Sequence, residues 1–181
     1  MKKIIFGIVA TLLLISCEND NLESINSDAK VNQILKLESQ NEQKLAYSFL
    51  NPQEKVTIWK KHLDLMLTSN DYNNKQINFI NNLQKSLTIN FFSDKSKAKD
   101  TFNKKIISEG LRIFSKKELY FLITSLSTNS RLQQPPPIST CGCSTSSDWC
   151  LSGNCNGTAY CLRDSDNCGT FWDYTCNGDC A

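Results

Sequence analysis

The stretch from Cys141 to Ala181 constrains this chain most, because it holds eight of the nine cysteines. They are Cys141, Cys143, Cys150, Cys155, Cys161, Cys168, Cys176 and Cys180. A segment this short cannot bury enough apolar surface to fold alone. Cross-links replace the missing core by restricting the unfolded chain, each typically contributing about 2–4 kcal/mol. An even count of eight in an exported chain therefore reads as four disulfides. Roughly a hundred pairings are open to eight cysteines, and the sequence does not choose among them. Cys141 and Cys143 stand two apart and point to one side of an extended chain, so each is expected to bond a distant partner.

The rest of the tail suggests a small β and loop fold. Asn156-Gly157 and Asn177-Gly178 are pairs that accept positive φ, as tight hairpin turns require. Thr170 to Cys176 is rich in aromatic and β-branched residues and reads as a strand. Metal is the competing reading of the cysteines. Structural zinc sites show paired Cys-x-x-Cys or His spacings, and the tail has no such pair. The only histidine, His62, lies far upstream. Trp149, Tyr160, Phe171, Trp172 and Tyr174 offer an aromatic binding surface; the simpler reading is that they cover the disulfides.

Two tail segments carry a family resemblance. One is Cys141-Gly142-Cys143-Ser144-Thr145-Ser146-Ser147-Asp148-Trp149-Cys150. The other is Cys168-Gly169-Thr170-Phe171-Trp172-Asp173-Tyr174, followed by Cys176-Asn177-Gly178. The tail resembles the bacteriocin fulvocin C-related proteins. That resemblance implies a small, disulfide-bonded, bacteriocin-like module at the end of an exported precursor. It covers the tail, and extends more loosely to the region before it.

At the other end, Lys2 and Lys3 precede an apolar run, Ile4 to Ile15, of about a dozen residues, too short for a membrane span and suited to a signal peptide. The run ends Leu14-Ile15-Ser16-Cys17, which resembles a bacterial lipoprotein box. Residues 1–16 then form the signal peptide, and Cys17 is acylated and binds the lipid bilayer, each buried CH₂ contributing about 0.8 kcal/mol. An ordinary secretory signal with a chance cysteine is the alternative. Lipidation also accounts for the odd ninth cysteine. The expected location is the cell envelope, lipid-anchored at the outer membrane, where tail disulfides persist. Glu18-Asn19-Asp20 fits either surface export or a solvated tether.

Residues 17–29 read as the lipidated cysteine and a flexible polar tether. Residues 30–127 carry helical periodicity. Val31, Ile34, Leu35, Leu37, Leu45, Ala46 and Phe49 suggest one broken helix or two short ones. Asn51-Pro52-Gln53-Glu54 is a helix start with its capping box, followed by Val56, Trp59, Leu63 and Met66 on one face. A third helix starts near Asn73 with Gln76 in the box position and presents Ile77, Ile80, Leu83 and Leu87. A fourth carries Ala98, Phe102 and Ile106 and ends near Gly110, a plausible C-cap. A last one starts at Ser115, with Glu118 three residues on, and presents Leu119, Leu122, Ile123 and Leu126. The fold class expected is mainly α: a four- to five-helix domain followed by a small disulfide-rich β/loop module. The domain of about 100 residues is long enough for a real core. Residues 128–140, with Pro135 to Pro137, read as an extended linker open to proteases.

Chemistry is sparse in this middle region. His62 has no acidic or nucleophilic partner at motif spacing and reads as a surface or partly buried residue. Trp59 reads as core. Lys95, Lys97, Lys99, Lys104 and Lys105 form a basic stretch whose simplest reading is a solvated face, the other being anion or lipid contact. No phosphate loop, His-Glu-x-x-His or nucleophile elbow is present. The sequence therefore points to no enzyme, catalytic residue, cofactor, metal, nucleic acid or small-molecule substrate. Charge is divided: residues 18–140 hold seventeen Lys/Arg against thirteen Asp/Glu, and the tail holds one against five. An acidic tail favours receptor recognition over lysis of anionic lipid. The opposite signs also predict weak, salt-sensitive docking of the tail on the helices. Two functions follow: a membrane-anchored bacteriocin-like lipoprotein whose helical carrier presents or releases the module, or a non-toxic surface-binding module on a lipoprotein stalk. A secreted enzyme or inhibitor ranks below both.

Overall fold

The computed structural model describes residues 20–93, 97–127, 142–158, 161 and 166–181. The expected signal peptide 1–16, Cys17, the expected linker 128–140, Cys141 and Tyr160 lie outside them. The protein is mainly α, with a disulfide-rich C-terminal module. Seven helices occur among the described residues: α1 (Asp20–Leu35), α2 (Gln40–Ser48), α3 (Pro52–Ser69), α4 (Asn74–Ser86), α5 (Ile89–Ser93), α6 (Lys97–Gly110) and α7 (Lys116–Thr124). The count exceeds four or five because the first periodic region divides into α1 and α2, and a short helix, α5, follows α4.

Helix starts follow local chemistry. Asn51 caps α3: its side chain accepts from the Glu54 amide at 2.9 Å, and the Glu54 carboxylate accepts from the Asn51 amide at 2.8 Å. Asn73 with Gln76 and Ser115 with Glu118 repeat this box at α4 and α7. Each box satisfies two amides that have no partner within the helix. The N-terminal region departs from the sequence reading. Helix α1 begins at Asp20, ten residues ahead of the expected start, so residues 20–29 are helical rather than tether. Helix formation there needs no apolar face, since the buried Val31 and Ile34 anchor the helix at its far end. Gly110 is not a left-handed cap. It closes α6 where a Cβ would meet the Leu119 methyls at 2.7 Å, so its value is close packing.

Helix α3 is central, packing on α1, α4 and α5. Val56, Ile58, Trp59, Leu63 and Met66 are buried on it, as the periodicity of its apolar face predicts.

Among the described residues, the tail holds four short strands: β1 (Cys155–Gly157), β2 (Asp166–Cys168), β3 (Tyr174–Thr175) and β4 (Gly178–Cys180). Strand β1 pairs antiparallel with β4, and β2 with β3. Both Asn-Gly pairs sit at this pairing rather than at hairpin turns, with Gly157 opposite Gly178. Close approach explains Gly178: a Cβ there would lie 2.5 Å from the Asn156 carbonyl and 2.8 Å from Cys155 Sγ. The expected strand over 170–176 is also replaced. Thr170–Trp172 form a 3₁₀ turn, and only Tyr174–Thr175 pair as a strand.

Candidate functional site

Three disulfides hold the described part of the module: Cys143–Cys155, Cys150–Cys180 and Cys168–Cys176, with Cα separations of 5.9, 5.4 and 5.1 Å. Cys161 is disulfide-bonded as well. The sulfurs of Cys143, Cys150 and Cys180 lie within 4.8 Å of one another. All three belong to disulfides, whereas a metal takes thiolates. Asp148 adds a polar brace: its two carboxylate oxygens accept from the Cys150 and Cys155 amides at 2.9 and 2.8 Å. The Asn177 side chain accepts from the Thr145 amide at 2.8 Å and donates to its hydroxyl at 2.9 Å.

The smallest of these rings, Cys168 to Cys176, does something other than shield sulfur. Gly169, Phe171 and Trp172 have φ of 70°, 56° and 53°. Left-handed backbone costs an ordinary residue roughly 1–2 kcal/mol. Two consecutive aromatics adopt it here because the turn drives both rings into the helical domain, and full burial of each returns roughly 1.5–3 kcal/mol. Phe171 stacks edge-on against Trp59 and Phe91, with ring centroids 5.2 and 5.6 Å apart. Trp172 meets Tyr47 at 5.4 Å and Trp59 at 5.7 Å. Helices and tail thus share one hydrophobic core. The simpler sequence reading, that the aromatics cover the disulfides, fails for these two rings.

Polar groups at this seat are paired across the same boundary. The Trp172 indole N–H donates to the Thr124 carbonyl at 2.6 Å. The Tyr47 hydroxyl donates to the Phe171 carbonyl at 3.0 Å and accepts from the Trp59 indole at 3.1 Å. Burial raises the Tyr47 hydroxyl far above the ordinary phenol range, so it remains a donor at any physiological pH. Asn167 donates to the Lys44 carbonyl at 3.0 Å. Lys44 itself lies over the Trp172 ring, 5.8 Å from its centroid, and burial lowers its amine to about 8. Within the module, Thr170 ties the turn to Ser147 and accepts from the Trp149 indole at 2.9 Å.

A second contact joins α6 to the strand that follows the turn. Lys99 pairs with Asp173. Asn103 donates to the Tyr174 hydroxyl, which donates to Asp100 at 3.1 Å. Burial pushes the Tyr174 hydroxyl up to about 12, an effect that the Asn103 hydrogen bond opposes and Asp100 reinforces. Lys99 is therefore turned inward, while Lys104 and Lys105 stay exposed as a solvated face requires.

His62 is fully buried, against the expectation of a surface or partly buried ring. It stacks edge-on with Trp59 at 5.6 Å. Burial pushes its imidazole down to about 4, although the backbone near Phe121, Leu122 and Leu126 favours the charged form. Neither ring nitrogen reaches hydrogen-bond geometry with a partner among the described residues. No helix among them is long and apolar enough to cross a membrane.

The seat escaped the sequence reading because left-handed backbone at two aromatics carries no propensity signal. The available clue was a short cysteine-bounded loop with Phe and Trp adjacent at its tip.

No family model matches the chain, and neither curated proteins nor solved structures provide a match.

The geometry makes the Cys168–Cys176 disulfide the retainer of the aromatic turn. Replacing both cysteines by serine is expected to destabilise the protein by about 2–4 kcal/mol. Chemical denaturation checks this. Limited proteolysis should then cut within 168–176 first, and a ring that stays protected would show that the aromatic seat alone sets its shape.

Proposed function

We propose that this chain is a membrane-anchored, bacteriocin-like lipoprotein of the fulvocin C-related type, whose helical domain carries and presents the disulfide module. Acylated Cys17 is its attachment to the lipid bilayer of the cell envelope, and a receptor on target bacteria is its partner. No enzymatic step is part of this reading. The observation that supports presentation is the seating of Phe171 and Trp172 in the helical core. A module released to the medium would expose both rings to water. Held in place, it displays its disulfide-braced face instead, with Leu151 half-exposed on it.

The experiment applies purified full-length protein to lawns of related bacteria, oxidised and reduced. Inhibition by the oxidised form alone is the expected result. Killing that persists after full reduction overturns a folded module as the active part. In parallel, wild-type protein should incorporate labelled palmitate in a bacterial host and a Cys17→Ser variant should not; equal labelling removes the anchor assignment.

The shared core also favours a second reading, a non-toxic surface-binding module on a lipoprotein stalk. Binding of the oxidised protein to cells without growth inhibition selects it.

A further inference from the structure

The contact between Lys99 and Asp173 joins the two parts of the molecule at a single pair of reactive side chains. Lys99 lies on α6 and Asp173 between the aromatic turn and β3. Their side chains are only 8% and 11% exposed. The lysine amine lies over the Phe91 ring, 5.3 Å from its centroid, and over the Tyr174 ring at 6.0 Å. Apart from Lys99, no hydrogen bond reaches Asp173 Oδ2 among the described residues. Two opposite charges are thus held in contact under aromatic rings, with little water to solvate either one.

We propose that Lys99 and Asp173 condense to an intramolecular isopeptide bond that locks the disulfide module to the helical domain. The reacting form is the neutral pair, reached when a proton passes from the ammonium to the carboxylate; loss of water brings it closer in energy to the ion pair, whose two charges favour each other. The neutral amine, a nucleophile once desolvated, then attacks Asp173 Cγ. A C–N bond forms, the C–O bond breaks, and the oxygen leaves as water. The net change is an ammonium and a carboxylate giving an amide and one water, and it needs no oxidant, reductant or cofactor. The product also removes two buried charges, whose desolvation is the principal cost of a buried ion pair. The aromatic turn supplies the proximity: seating Phe171 and Trp172 brings Asp173 to α6, so the bond forms after the module has docked.

This inference is independent of whether the protein kills or is acylated. It does bear on delivery, since a module fixed through Asp173 stays attached when the chain is cut between residues 128 and 140.

The test is peptide mapping of the full-length protein after reduction, alkylation and trypsin digestion. The expected result is a branched peptide joining residues 98–104 to residues 164–181, uncut after Lys99 and lighter by one water, about 18 Da, than the two linear peptides together. It should be absent from a Lys99→Arg variant. Complete cleavage after Lys99, with residues 164–181 recovered at full linear mass, overturns the proposal. The wild-type protein decides the matter by itself, so a variant that folds poorly does not blunt the test.

Discussion

Trp172→Ala is expected to lower the free energy of unfolding by about 3–5 kcal/mol, the range for deleting a large buried aromatic. The indole is almost wholly buried and touches Tyr47 and Trp59, so truncation leaves a cavity in the middle of the core. Loss of its hydrogen bond adds less than it would elsewhere. The Thr124 carbonyl that accepts from the indole also accepts from the Gln40 side chain, at 3.3 Å, and keeps that partner. Alanine does not relieve the backbone either, because at a φ of 53° it carries the same left-handed penalty. Denaturant titration gives the magnitude, and mass analysis without reduction shows whether the disulfides still form. With those bonds intact, proteases should reach the ring 168–176 faster than in the wild type. A loss below about 1 kcal/mol, the size of an ordinary surface change, would mean that the turn is not seated in the helical core.

Features governed by neighbouring residues were legible in the sequence. Asn51, Asn73 and Ser115 each announce a helix because the partner side chain stands three residues on, and the periodic burial of Val56, Trp59, Leu63 and Met66 follows from one helix face. The mainly α fold with a disulfide-rich end followed from these signals and from the cysteine count. Features that depend on distant packing were not legible. Asn156-Gly157 and Asn177-Gly178 have the chemistry of turns, yet strand pairing uses Gly178 for contact distance. Phe171 and Trp172 have strand propensity, yet burial in a pocket formed by α2, α3, α5 and α7 overrides it. Charge division suggested docking but gave the wrong dominant force. The seat is apolar, and salt does not screen apolar burial as it screens surface charge. The ion pair that joins Lys99 to Asp173 across the two parts is itself buried. In the sequence Lys99 belongs to a basic stretch and Asp173 to the acidic tail, and nothing local links them.

His62 provides the second large effect, an acid-induced loss of stability. Its folded-state imidazole titrates at about 4, below the ordinary value of 6.5 for an unfolded chain. Between those values the unfolded chain binds a proton that the native state refuses, so stability rises with pH and falls on acidification. The slope is about 1.4 kcal/mol per pH unit, and the stability present above pH 6.5 is lost progressively as pH approaches 4, reaching roughly 3 kcal/mol. Carboxylates begin to contribute near the lower end, so the informative range is pH 6.5 down to 5, where the expected loss is about 2 kcal/mol. His62 is the only histidine in the chain, and no other side-chain type ordinarily titrates in that range. Lys44, lowered to about 8, is protonated in both states there and contributes no slope. Urea titrations at pH 6.5 and 5 should therefore show the loss in the wild type and a nearly flat response in His62→Leu. Leucine also removes the two ring nitrogens that lack hydrogen-bond geometry, while giving up the edge-on contact with Trp59. The comparison depends on the difference between the two pH values and not on the variant's absolute stability. An equal loss in both proteins would assign the acid sensitivity to the carboxylates and place a proton on His62 in the folded state.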